Sequence, residues 1–205
     1  MYMPPNNGPE FTPPPAGTHI AICYRVLDLG TQQTEYMGQQ KRQHKVMISW
    51  ELPDERMEDG KPFTVHQRYT FSSNEKAKLR QDLEAWRGAP FKDSDFGPGG
   101  FHLSKLLGVP CLLTLVHETK NGQTYANIRG IGKILKGQQV PPLTNEKVFF
   151  SLVHNEFNPL QLERLPQRLQ ETIKKSPEYA ELHKEPTGDA QDDAHEPALN
   201  DPIPF

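Results

Sequence analysis

Three stretches of the chain interleave cations with aromatic rings: Tyr36 with Lys41, Arg42 and Lys45; then His66, Arg68 and Tyr69; then Lys120, Tyr125, Arg129 and Lys133. Cations neutralise phosphates and flat rings stack under bases. The pairing therefore fits a single-stranded nucleic acid held along its backbone and by the faces of its bases, with no sequence code read. Tyr36 and Tyr125 stand in polar surroundings, which favours exposure. Trp50, Phe71 and Trp86 run in phase with aliphatic neighbours and are expected in the core.

No catalytic constellation stands beside these residues. Asp54, Glu55, Glu58 and Asp59 cluster, but without the glycine and glutamate spacing of a calcium loop, and read as a solvated turn. The eight histidines include no pair four residues apart. Two cysteines, Cys23 and Cys111, are too few for a zinc site or a disulfide framework and suit a reducing compartment. Gly97, Gly99 and Gly100 match neither a phosphate loop nor a dinucleotide fingerprint. No enzyme, metal or cofactor is expected. The N-terminal residues lack a signal-peptide pattern and no apolar run is long enough to span a bilayer, so a soluble cytoplasmic protein is expected.

Charge divides the 205 residues. Residues 186–205 hold five acids and no Lys or Arg, whereas residues 17–137 hold 17 Lys plus Arg against 13 Asp plus Glu. A mildly basic body with an acidic tail suits a body that binds a polyanion and a tail that binds something basic; a solubilising tail on an ordinary surface is the plainer alternative.

The elements that must position the cations follow from periodicity. Six prolines in residues 1–16 predict a Pro-rich arm, disordered or draped. Residues 18–29 alternate with Ile20, Ile22, Tyr24 and Val26 on one face, a half-buried strand; residues 30–43 are polar and read as a loop. A second strand spans 44–52, with Val46, Ile48, Trp50 and Leu52 in phase, and Pro53 is expected to end it. In the third, Phe63, Val65, Tyr69 and Phe71 oppose His66, Arg68 and Thr70. Leu79, Leu83 and Trp86 recur at helical spacing, with Ser73 or Asn74 as the cap and Gly88 as the stop. A short helical piece, HLSKLLG, precedes two further strands joined by Asn121-Gly122, a strong hairpin signal.

Three strands, a helix and a hairpin across residues 17–137 predict a mainly β fold: a five-stranded oligonucleotide/oligosaccharide-binding (OB) barrel with a helix between strands three and four. Another small barrel or an α+β sandwich is the alternative. In an OB barrel the loops one-two and four-five flank one binding face, so the three cationic stretches would converge on a single cleft. Residues 138–185 read as an extension packing on the barrel, with VFFSLVH apolar and two short helices broken by Pro166 and Pro177. Residues 186–205 read as a disordered acidic tail.

The ending NDPIPF, after Asp192-Asp193, resembles the acidic tip of bacterial single-stranded-DNA-binding proteins, with Pro202 inserted between Asp201 and Ile203. The body, through GTHIAICYRVLDLGTQ, HKVMISWEL, NEKAKLRQDLEAWRG and LPQRLQETIKKSPEY, resembles phage-encoded single-stranded-DNA-binding proteins. This resemblance implies a non-enzymatic protein that coats single-stranded DNA in phage replication or recombination inside a bacterial cell. It also implies that Asp192, Asp193, Asp201, Ile203, Pro204 and Phe205 recruit host or phage replication and repair proteins, and it is compatible with self-association. A replisome adaptor whose barrel binds protein rather than nucleic acid is the other reading.

Overall fold

The computed structural model describes residues 12–36 and 38–184; the side chains of Thr34 and Tyr36 lie outside that description. The elements in chain order are β1 (Gly17–Tyr36), β2 (Gln39–Arg56), β3 (Pro62–Thr70), α1 (Lys78–Arg87), β4 (Pro110–Lys120), β5 (Gln123–Gly132), β6 (Val148–Phe150), α2 (Pro159–Glu163), α3 (Gln167–Lys174) and α4 (Pro177–Leu182). The fold is mainly β. One open sheet of six strands runs β3-β2-β1-β4-β5, all antiparallel, with β6 added parallel to β1. The two ends of this order, β3 and β5, approach to within 8 Å between Cα atoms, but no ladder joins them.

β1 organises the sheet because it exchanges partners. Residues 17–22 pair with β4, and once that ladder ends β6 takes the vacated edge at Arg25–Leu27. Along its other edge β1 pairs with β2 from Ile22 to Tyr36. A register shift between Cys23 and Arg25 inverts the inward phase, so that Ala21, Cys23 and Val26 all enter the main core. The expected single buried face of Ile20, Ile22, Tyr24 and Val26 is thereby corrected, for Ile22 and Tyr24 are buried without joining that core. The main core joins these residues to Val46, Ile48, Trp50 and Leu52 of β2, Val65 and Tyr69 of β3, Cys111, Leu113 and Leu115 of β4, and Leu79, Leu83 and Trp86 of α1.

A second core forms on the opposite face. Leu27, Leu29 and Met47 are covered by Phe150, Leu152, Leu162, Leu165, Leu169 and Ile173, so residues 148–184 pack on β1 and β2. Burying a side chain such as Ile173, fully out of solvent, stabilises this contact by about 1.5–3 kcal/mol. Glu51, also fully buried, accepts hydrogen bonds from the backbone N–H groups of Thr144 (2.7 Å) and Asn145 (2.8 Å) and from Asn145 Nδ2 (2.6 Å). A carboxylate taken out of water on the outer face of β2 is in this way satisfied by the segment that covers it.

Several boundaries differ from the sequence expectation. Residues 30–36 and 39–43 are strand rather than loop: β1 and β2 continue as a two-stranded ribbon, with Gln33 opposite Arg42 and Tyr36 opposite Gln39. A ribbon projecting beyond the cores needs no apolar alternation, only paired backbones. Pro53 does not end β2, because β2 has already left β1 after Glu51 and its pairing with β3 skips from Leu52 to Arg56. A proline is tolerated at such an irregularity. α1 begins at Lys78 after Ala77, with no side-chain cap, since the Asn74 side chain accepts instead from Lys76 N–H in a local turn. Three short helices, not two, are present: α2 and α4 begin at Pro159 and Pro177, and α3 follows Pro166.

The Asn121-Gly122 hairpin is observed, with φ of 52° and 76° at the two turn residues, as a tight turn between twisted strands requires. Of the Pro-rich arm, residues 12–16 are described, and His117 and His19 ring nitrogens meet the Pro14 and Pro15 carbonyls at 2.8 and 2.9 Å. Residues 1–11 and the acidic tail, including Asp192, Asp193, Asp201, Ile203, Pro204 and Phe205, lie outside the described residues.

Candidate nucleic-acid interface

The outer faces of β2 and β3 carry Lys45 beside Thr70, Met47 beside Arg68 and Ser49 beside His66. The extension covers Met47 but leaves this edge open. There a groove of about 510 Å³ runs between the sheet and α3, lined by Leu29, Gln32, Gln33, Lys45 and Arg68 on one side and Arg168, Glu171, Thr172 and Lys175 on the other. A second groove of about 480 Å³ shares Lys45 and Arg68 and adds Gln43, Thr70, Asn74, Lys76 and Lys78. Joined through their common residues, the two make one basic tract from the end of α3 to the start of α1.

Which cations can serve an external anion depends on their existing partners. Lys45 Nζ donates to Gln43 Oε1 (2.7 Å) and Thr70 Oγ1 (2.8 Å), both neutral, and partial burial lowers its pKa from the usual lysine range. Among the described residues, Arg68, Arg168, Lys175 and Lys76 have no carboxylate partner. Lys78, by contrast, is paired with Asp82. Arg80 is a structural hub: it reaches Glu84 and Asp93 and donates to the carbonyls of Ser73 and Phe91, tying the loop after α1 to the helix. His66 is held more neutral than an ordinary imidazole, first by burial and then by the charges of Arg25 and Arg68. It offers a ring and a hydrogen-bonding nitrogen rather than a charge.

The structure brings together only part of the expected cleft. Lys45 and Arg68 meet in the tract, with His66 two residues along β3. Lys41 and Arg42 lie on the β1–β2 ribbon, and Arg42 faces Gln33, itself a groove residue. The side chain of Tyr36 is outside the described residues. Tyr69 cannot stack on a base: its ring is in the main core, 3% exposed, and its hydroxyl donates to Asp82 at 3.0 Å. The sequence phase that groups it with Val65 already requires this. Lys120 (paired with Glu118), Tyr125 and Arg129 stand on the β4–β5 hairpin and line neither groove. Tyr125 is exposed, its hydroxyl donating to Gln123. Lys133 lies across Gly88 at the end of α1, beside Trp86 in a different groove.

Arg168, Lys175 and Lys76 are absent from the sequence expectation. The first two are seven residues apart, hence on one helical face, while Leu169 and Ile173, four apart, take the buried one. That amphipathic pattern is the signal that could have found them. Phe71, expected in the core, is instead 51% exposed just past the end of β3.

Among the described residues no group of His, Cys, Asp or Glu is placed to hold a metal ion, and no helix is long and apolar enough to cross a membrane. No family model and no curated protein matches the chain.

Proposed function

We propose that this protein binds single-stranded DNA without a sequence code and without catalysis. The observation that carries the reading is the tract in which Lys45 and Arg68 of the sheet face Arg168 and Lys175 at α3, cations without carboxylate partners among the described residues and with a single acid, Glu171, beside them. Such a surface gains affinity by releasing the counterions of a phosphate backbone. Exposed Phe71, next to groove residues Thr70 and Ser72, favours a strand with accessible bases over a duplex. We read the sheet as an OB-type barrel whose closing edge is β3 with β5, supported by the strand order and by the helix between β3 and β4. In this proposal the protein works in the cytoplasm of a bacterial host during phage replication or recombination, and residues 186–205 recruit replication proteins. The test is fluorescence anisotropy of a labelled oligothymidine: submicromolar binding that weakens steeply with salt supports the reading, and no binding at low salt overturns it.

One observation favours an adaptor as the second reading. A groove of about 360 Å³ between α1 and β4 is lined by Leu83, Trp86, Phe91, Phe101 and Leu106, with Arg87, Lys105 and Lys133 beside them. Apolar walls with cations at the margin suit an acidic peptide segment better than a phosphate chain. A protein that fails the oligothymidine test would be read this way.

A further inference from the structure

We infer that the protein carries a nucleobase slot built on Phe71, set beside the basic tract; the inference rests on the nucleic-acid reading above. Phe71 is the most exposed phenylalanine among the described residues. Its neighbours Thr70 and Ser72 both line the second basic groove while its own ring turns to the other face of the chain, so a strand crossing the end of β3 meets cations on one side and the ring on the other. The ring itself lines a separate pocket of about 180 Å³ with Phe101, Phe149 and Val153.

Charge separates the two surfaces. No lysine or arginine lines the Phe71 pocket; its ionisable groups are Asp28, His102 and Glu156, the last two 3.1 Å apart as an ion pair when the imidazole is protonated. A phosphate entering it would meet carboxylates, whereas an uncharged base would meet aromatic faces. A strand crossing the end of β3 is thereby sorted, phosphates toward Lys45 and Lys76 and a base toward Phe71. The volume is below the range of about 300–1,000 Å³ that encloses drug-sized ligands, in keeping with one planar ring system.

The slot is also held in place before any ligand arrives. Phe71 N–H donates to the His44 carbonyl at 2.8 Å, and the His44 imidazole lies 5.3 Å from the Phe71 ring centre at a tilt of 59°. On the far wall Phe149 is backed by His102 at 5.2 Å. A ring already oriented loses little side-chain freedom when a base stacks on it, and so contributes more of its stacking energy to affinity.

The test uses the full chain, labelled oligothymidine and a salt series. Phe71→Ala should weaken binding by about 5- to 150-fold, the range of a lost base stack, with the slope of log affinity against log salt unchanged. Phe71→Leu, which keeps apolar bulk but no π face, should lose most of the same factor, and Phe71→Trp should retain affinity. Thermal melting checks that each variant folds, and Phe71→Leu carries the test if Phe71→Ala does not. Wild-type affinity in Phe71→Leu overturns the slot; if Lys45→Glu weakens binding in the same series, the nucleic-acid reading survives that loss. Absence of binding by the unaltered chain at low salt overturns both.

Discussion

Thr31 of β1 and Glu178 of α4, 147 positions apart, are joined by two hydrogen bonds: the Thr31 N–H donates to Oε2 at 2.8 Å and its hydroxyl to Oε1 at 2.5 Å. The contact depends on Gly30 beside it. That residue has φ of +66° and follows a register shift, and a Cβ there would fall 2.4 Å from Ser176 Cβ. Gly30→Ala should thus strain the backbone and push α4 away, while Glu178→Ala removes the two bonds and the charge facing His44 without straining the backbone. Loss of hydrogen bonds to a charged acceptor costs about 1.5–3 kcal/mol each at most, less here because the carboxylate is partly exposed. Hydrogen exchange should show residues 167–182 losing protection in both variants while β1–β4 stays protected. Equal loss across the chain would show that the extension does not open separately.

His44 sets a pH dependence on the same contact. Its Nε2 lies 2.6 Å from Asp28 Oδ1 and its Nδ1 3.7 Å from Glu178 Oε1. The Asp28 hydrogen bond raises its pKa above the ordinary 6.5, against an opposing effect of burial, and the charges of Asp28 and Glu178 add to the rise. A raised imidazole pKa contributes stability that is complete below about pH 6.5 and is lost as pH rises through the folded-state value. Glu178 acts in the opposite sense. Burial would raise its pKa, but the Thr31 bonds and the His44 charge hold it below the ordinary 4.5, so its contribution exists above that value and fades in acid. Extension docking should be firmest between about pH 4.5 and 6.5 and weaken toward alkaline pH. His44→Gln should flatten the alkaline side of a stability-against-pH curve; a curve unchanged by the substitution would contradict the assignment.

Ile173 links stability to binding. It is fully buried in the second core, on the helix that brings Arg168 to the basic tract. Ile173→Ala should cost about 2–5 kcal/mol, measured by denaturant unfolding. Under the proposed function it should also weaken oligonucleotide binding, because a displaced α3 takes two cations with it. Intact affinity in a variant whose α3 amides have lost protection would remove α3 from the interface.

The legible parts of the fold were those whose apolar period is simple. Leu79, Leu83 and Trp86 mark α1, and Asn121-Gly122 marks its hairpin, because one buried face or one turn geometry dictates them. β1 is less transparent, since two cores and two register shifts bury both of its faces, and no period of two survives that. The ribbon of residues 30–36 and 39–43 is held by backbone pairing among polar side chains, which carries little compositional signal. At the site, Lys45 and Arg68 were readable from the strand phase, whereas the second wall of their groove comes from a helix some 100 residues later whose docking only the tertiary structure shows.

Charge reversal tests the tract against the rest of the surface. Lys45→Glu, Arg68→Glu and Arg168→Glu should each weaken binding and reduce the salt slope, by about 0.7 for each phosphate no longer neutralised. Lys120→Glu and Lys133→Glu should do neither, because the first is already paired with Glu118 and the second lies beside Trp86 at the end of α1. If Lys133→Glu proves as costly as Arg68→Glu, the strand follows the other side of the sheet.

The acidic tail offers a separable prediction. Residues 186–205 carry five acids and no Lys or Arg, and the basic tract on the body presents Lys45, Arg68, Arg168 and Lys175 to solvent. Under the proposed function, acids tethered to that body would compete with phosphate, so deleting 186–205 should leave DNA affinity unchanged or raise it, most visibly at low salt where the charges are least screened. Deleting Phe205 alone strips an apolar ring and leaves the five acids in place. It should therefore spare DNA binding while abolishing capture of a replication or repair protein that reads acidic, Phe-ended tips. Pro202 fixes its own φ and biases Asp201 toward extended backbone, so removing it alters the spacing of Asp201 from Ile203 without altering charge. A partner that binds a peptide of residues 186–205 no better than its Phe205-deleted form would reduce the tip to bulk charge. A large fall in DNA affinity on deleting the whole tail would place the tail in the interface rather than in competition with it.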